Sequence, residues 1–408
     1  MASLMIDGAA RVQQEPHVGA TDWVARARAI TPLIEAQVAR SEVERTLPQP
    51  VVEALKDTDL FWMFTPVEAG GGGCGYRDLI EVIEQLSYAD ASAGWSFMAN
   101  VESTAAAAAF CGDSAVDAMF GGRERGIMAG MLGPGGKGVA VDGGYRAGGH
   151  FSFGSGSAHA TWLGGGMMVI ENGKPRMLPH GPEVQIAFVP RERVAMEDNW
   201  DVRGLSATGS YDYEIPEQFI GGDFAFERAT AEPQRGGPAF SLGFAPIVSA
   251  GHVAVILGIM KRALQEIARI ACEKKRVGYP SVIADHALFM HEFGKHEALA
   301  MAARHYSIEV FAGAEVAAAD GRALTEYEKA RFRQVASWVH QVGADVVRFC
   351  YTASGAEGFR ASTPIGRAFR DMYVATNHLF IDPVNIANVA PVLLDHYRRG
   401  APAAGSAA

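Results

Sequence analysis

The chain changes texture twice along its length, and that alternation limits the folds open to it more than any single motif does. From residue 22 to about residue 120 the pattern is helical. Ala25, Ala29, Leu33, Ile34 and Val38 recur at three- and four-residue spacing, which places them on one helix face. Residues 51–57, 79–86 and 93–110 also read as helices, and the last is very rich in alanine, which suits helix propensity and close packing. Leu47-Pro48-Gln49-Pro50 punctuates this region, and the glycine run 70–73 reads as a loop. From about residue 126 to 226 short apolar segments alternate with glycine pairs, at 145–153, 167–170, 184–189 and 211–215. That is the pattern of strands and turns. Beyond residue 240 helices return at 248–271, 283–319, 325–353 and 367–378, each apolar on one side. Long helices in series make an antiparallel bundle.

The expected organisation is therefore mainly α with a central β domain. A helical domain covers 1–125, a β domain 126–230 and a four-helix bundle 231–398, with a disordered Ala/Gly/Pro/Ser tail at 399–408. A chain of 408 residues is long enough for such packed units. Its 36 basic and 46 acidic residues leave a net charge of −10, with no long basic run, so nucleic acid is not an expected partner. The first twenty residues lack the basic start and apolar core of a signal peptide. The apolar stretch 240–260 contains Gly, Ser, Pro and His and reads as a core helix, not a membrane span. Cys74, Cys111, Cys272 and Cys350 form no CxxC pair, and read as buried free thiols of a cytoplasmic protein without a metal site.

Two apparent motifs do not carry the chemistry they imitate. Gly133-Pro134-Gly135-Gly136-Lys137-Gly138 matches GxGxxG, but a hairpin follows it where a helix N-terminus is required. It reads as a glycine-rich loop at the domain junction. His291 and His296 are five residues apart, which puts them roughly 140° apart on a helix, too far for one zinc ion. They read as surface and interface histidines.

A set of motifs in fixed order resembles the acyl-CoA dehydrogenase superfamily over nearly the whole chain. Asp90-Ala91-Ser92-Ala93-Gly94-Trp95 resembles the start of the helix beneath the flavin. Phe151-Ser152-Phe153-Gly154-Ser155-Gly156 resembles the β-domain segment against the isoalloxazine. Trp200-Asp201-Val202-Arg203-Gly204-Leu205 and Thr208-Gly209-Ser210 resemble the strand that closes it. Arg367-Ala368-Phe369-Arg370-Asp371 resembles the start of the last catalytic helix. The resemblance implies that Trp95, Phe153, Ser155, Gly156, Arg370 and Asp371 bind flavin. Arg276-Val277-Gly278 resembles the segment that reaches a neighbouring subunit's flavin phosphate, with a plain surface arginine as the alternative.

True acyl-CoA dehydrogenases use a glutamate base shortly after the Arg-Asp pair or on the first helix of the C-terminal bundle. The first position reads Tyr373-Val374-Ala375-Thr376-Asn377-His378, and no Asp or Glu occurs from residue 233 to 265. His378 and Ser155 instead fit the two-component flavin monooxygenases of this superfamily. The resemblance then implies an oxygenase that takes reduced flavin, FMN or FAD, from a separate reductase. It would react that flavin with O2 to a C4a-hydroperoxyflavin and hydroxylate an aromatic or polycyclic molecule, as a homotetramer. A serine hydroxyl beside N5–H accepts a hydrogen bond without adding charge, and a histidine can manage the substrate's proton. Many phenol hydroxylases of this group carry a further histidine where this chain has Glu102, which takes over its polar role, acts as a new base, or forms an ordinary salt bridge. An acyl-CoA dehydrogenase with a displaced base and a non-catalytic partner subunit are the alternatives.

Overall fold

The computed structural model describes residues 21–400. The expected absence of a leader in residues 1–20 and most of the expected tail lie outside the described residues. Helices α1 (Trp23–Glu44), α2 (Gln49–Asp57), α3 (Tyr76–Ala89), α4 (Ala91–Phe110) and α5 (Asp113–Phe120) come first. Capping residues set two of their starts. Asp22 accepts from the Ala25 amide at 2.8 Å, and Asp90 from the Ala93 amide at 3.0 Å.

The middle region contains β1 (Met128–Val141), β2 (Gly144–Gly154), β3 (Trp162–Glu171), β4 (Lys174–Pro175), β5 (Met177–Leu178), β6 (Gly181–Pro182), β7 (Val184–Pro190), β8 (Ala195–Met196), β9 (Tyr211–Gly221) and β10 (Ala225–Glu227). The main sheet runs β10-β7-β3-β1-β2-β9-β8, with β4 on β3. β1 and β3 pair in parallel, while the other neighbours are antiparallel. Phe151, Leu163, Tyr213 and Ile215 form a small core on this sheet.

The glycine-rich segment 133–138 corrects the sequence expectation of a loop. It lies inside β1, where the register against β3 shifts twice. A side chain at Gly149 would meet the Gly136 Cα at 2.4 Å. The glycines therefore permit close strand approach at a bulge. Gly and Pro disfavour strands locally, and only the partner strands reveal the pairing.

The C-terminal region holds α6 (Phe244–Glu273), α7 (Ala287–Ala319), α8 (Glu326–Ser354), the short α9 (Pro364–Ala375) and α10 (Val384–Gly400). Helix α6 is the central post of the molecule and packs on α3, α4, α7, α8 and α9. Its long apolar window is buried against these neighbours. Each fully buried Val or Ile there contributes about 1.5–3 kcal/mol, so burial and not lipid accounts for its composition.

Four further expectations are corrected. α9 ends at Ala375, so His378 is not helical but caps a short 3₁₀ turn. α10 includes residues 399 and 400, which had been assigned to the tail. Cys272 is exposed, unlike the other three cysteines. His296 is buried and stacks on Phe349 with ring centroids 4.4 Å apart, so it is a packing residue, not a surface one.

Candidate active site

Where β2 ends, the chain makes a strained turn. Phe153 has φ +65, a left-handed conformation that costs a non-glycine residue roughly 1–2 kcal/mol. Its amide donates to Asp212 Oδ1 at 3.1 Å, and its carbonyl accepts from the Ser155 amide at 2.8 Å. Gly156 follows at φ +72, and any side chain there would lie 2.4 Å from Asn100 Oδ1. The turn seats the buried Ser155 side chain against α4. Trp95 Nε1 donates to Ser155 Oγ at 3.1 Å, and Ser155 Oγ lies 2.7 Å from Ser210 Oγ. Ser210 Oγ in turn lies 2.7 Å from Thr208 Oγ1, which donates to the Leu205 carbonyl at 2.9 Å.

The Trp95 ring also joins this turn to two histidines. Its centroid lies 5.0 Å from His252 on α6 and 6.0 Å from His378. His252 and His378 are 4.2 Å apart, and Phe380 stacks on His378. Backbone partners assign the tautomers. His252 Nδ1 faces the Val248 carbonyl at 2.8 Å and must donate, so Nε2 carries a bare lone pair. His378 Nδ1 accepts from the Phe380 amide at 3.3 Å, so its Nε2 carries the proton. His340 on α8 is buried, and its Nδ1 donates to the Ala336 carbonyl. The Nε2 atoms of His252 and His340 are buried without a partner.

Burial holds all three imidazoles neutral. It depresses His378 to about 4 and His340 to about 3. His252 is pushed well below its ordinary value by burial, and then by His378. His378 stands as a neutral donor beside a neutral acceptor.

The other expected residues divide into two groups. Trp95, Phe153, Ser155 and Gly156 share the strained turn and its neighbours. Arg370 and Asp371 do not open toward it. Arg370 pairs with Glu42 at 2.9 Å and donates to the Ala361 carbonyl, and Asp371 accepts from the Leu205 amide at 2.7 Å. Asp371 holds the segment before Thr208 onto α9, and Arg370 ties α9 to α1. Among the described residues Glu102 makes no salt bridge and one of its oxygens has no partner; it is buried, and burial raises its carboxyl well above the usual range. A side chain at Gly251 would lie 1.8 Å from Glu102 Oε1, so Glu102 fills the seam between α4 and α6. Arg276 is exposed, donates to the Ala353 carbonyl at 2.8 Å and lines a different space. That space is a cavity of about 600 Å³ shared with His286, Lys295 and Arg348.

Comparison with known proteins accounts for this arrangement. The acyl-CoA dehydrogenase N-terminal domain model matches residues 25–118, and the acyl-CoA dehydrogenase C-terminal domain model matches residues 250–383. The chain belongs to the acyl-CoA dehydrogenase superfamily. It is 28% identical to an indole-3-acetate monooxygenase of Pseudomonas putida, covering 86% of this chain and 88% of that protein. It is 26% identical to the flavin-dependent monooxygenase oxygenase subunit HsaA of Mycobacterium tuberculosis, covering 87% and 90%. The solved structure of the M. tuberculosis HsaA monooxygenase superposes with a TM-score of 0.83 at 22% identity, over 93% of this chain and 97% of that one. XiaF from Streptomyces, solved in complex with FADH2 and glycerol, gives 0.83 at 23% identity over 94% and 96%.

As a member of this superfamily, the chain has the chemistry to hold a flavin ring. Ser155 offers an oxygen acceptor and Trp95 an aromatic wall. Trp200 packs edge-on to Phe153, and its buried Nε1–H has no protein partner. The ligand atoms of the exposed His150 and Glu197 and the half-buried Asp212 lie within 4.8 Å of one another beside this turn. His150 is hydrogen-bonded to Glu197, and Asp212 holds the Phe153 amide, so the trio serves the turn. Sequence reasoning missed His252 and His340. A histidine in an apolar helix gives no local signal of its partners.

Proposed function

We propose that this chain is the oxygenase component of a two-component flavin-dependent monooxygenase, and that it hydroxylates an aromatic or polycyclic small molecule. One observation carries this reading: a neutral imidazole pair, His252 and His378, shares Trp95 with Ser155. A dehydrogenase of this superfamily needs a carboxylate base, and neither of the two positions that would carry one holds an Asp or Glu.

Reduced flavin, when bound, supplies the electrons and activates O2. The protein's part is orientation, exclusion of water and proton handling. Trp95, Phe153 and Trp200 flank the Ser155 turn with apolar surface. A hydroxyl on the substrate donates to the bare Nε2 of His252 and accepts from the Nε2–H of His378. His252 then takes the proton as the ring becomes electron-rich, and returns it afterwards. Burial leaves this acceptor unprotonated at rest.

The supply side follows from the same reading. A separate reductase delivers reduced FMN or FAD in the cytoplasm. In a homotetramer, Arg276 beside the large cavity would meet a neighbouring subunit's flavin phosphate as a charge-assisted donor. The deciding experiment is rapid mixing of the protein and reduced flavin with O2. A transient absorbing species should precede oxidised flavin. Direct reoxidation together with acyl-CoA turnover would establish the dehydrogenase alternative instead.

A further inference from the structure

The hydroxyl chain behind Ser155 has a direction. Trp95 Nε1 can only donate, and the Leu205 carbonyl can only accept. Between them stand three hydroxyls with one proton each, at 3.1, 2.7, 2.7 and 2.9 Å along the chain. Thr208 spends its proton on Leu205, so Ser210 must donate to Thr208. Ser155 must then donate to Ser210. The reverse order would leave two oxygens 2.9 Å apart, at Thr208 and Leu205, with no proton between them.

The carbonyl that ends the chain cannot turn away. Leu205 is itself left-handed, at φ +51, and its amide is held by the buried Asp371 at 2.7 Å. Ser155, Ser210 and Thr208 are all buried, so water does not compete for their protons. Ser155 therefore has no proton to offer outward. It keeps one lone pair, and toward any ligand it is an acceptor alone.

Reduced flavin carries a hydrogen on N5, whereas oxidised flavin presents a lone pair there. We propose that Ser210 and Thr208 are positioning residues that lock Ser155 as an acceptor and so make the site select reduced over oxidised flavin. The inference rests on the proposed function, which sets flavin N5 beside Ser155. It explains how one site takes up reduced cofactor and lets the oxidised form go. No charge is needed, because the discrimination lies in which partner owns the single proton.

The test is binding, not turnover. Anaerobic titration with reduced and oxidised FMN and FAD gives a Kd for each state. The native protein should favour reduced flavin by at least about tenfold, the worth of one hydrogen bond made or refused. Ser210→Ala frees the Ser155 proton to turn outward, so the oxidised form should bind more tightly and the preference should shrink about tenfold. The midpoint potential of bound flavin should then fall by about 30 mV, the equivalent of tenfold for two electrons. Thr208→Val, which removes the acceptor for Ser210, should act in the same direction, while Thr208→Ser should restore the native ratio. An unchanged ratio in both Ser210→Ala and Thr208→Val overturns the proposal. A native protein that binds flavin without preferring the reduced state also overturns it, but leaves the monooxygenase reading standing. A native protein that binds neither form removes both.

Discussion

At the scale of single residues, the site works through hydrogen-bond polarity more than through charge. His252, His340 and His378 are all neutral because burial penalises the imidazolium. A backbone group claims Nδ1 in each; what distinguishes them is that it is a carbonyl at His252 and His340 but an amide at His378. His252→Asn and His378→Asn each keep a polar side chain of similar size while removing the imidazole. Each should lower the rate of substrate hydroxylation by about 100-fold or more, the usual worth of a positioned acid–base group. Flavin affinity should change little, since neither residue is assigned to the ring. Single-turnover rates measured beside flavin Kd values separate the two effects. Native rates in both variants would show that the pair is structural.

At the scale of elements, two helices meet at a pair of buried acids. Asp90 caps α4, and Asp371 on α9 holds the Leu205 amide. Burial raises Asp90 to about 6. It raises Asp371 to about 7, with the Asp90 charge adding to the effect. Both folded values lie above the ordinary carboxyl value of 3.8, so the folded chain binds the protons more tightly than the unfolded chain does. This contribution to stability is complete below pH 4 and is lost as pH rises through about 6 to 7. Asp90→Asn keeps the cap and removes one charge. At pH 5 the variant should melt close to the native protein. At pH 8 it should melt higher relative to the native protein, by on the order of 2 °C. A difference in melting temperature that is flat between pH 5 and 8 would show that burial does not raise Asp90.

At the scale of the whole molecule, the chain presents two regions with different tasks. The Ser155 turn and the histidines gather where α4, α6 and the sheet meet. Arg276 lies elsewhere, beside a cavity of about 600 Å³ with further basic side chains. On the proposed tetramer the second region would serve the cofactor of a neighbour, which would link flavin binding to assembly. Arg276→Ala should weaken flavin binding by about 1.5–3 kcal/mol, the value of a charge-assisted bond. Equilibrium dialysis measures this directly, and light scattering should give four times the chain mass for both proteins. Unaltered binding would make Arg276 a surface residue.

The order of textures along the chain was enough to specify helices, then sheet, then helices, because apolar periodicity is a local property that each segment carries by itself. The motifs around Trp95, Ser155, Arg370 and His378 were equally legible, since each is contiguous. Assignments that depend on a distant partner were not. The glycine run 133–138 reads as a loop until β2 and β3 supply the pairing, and Arg370 and Asp371 read as flavin contacts until Glu42 and Leu205 occupy them. His252, 126 positions before His378, became visible only when α6 brought its ring within 4.2 Å. The direction of the hydroxyl chain is the most tertiary feature of all. Composition supplies Trp95, Ser155, Thr208 and Ser210, but which of them owns each proton follows only from packing that ends the chain on a fixed carbonyl.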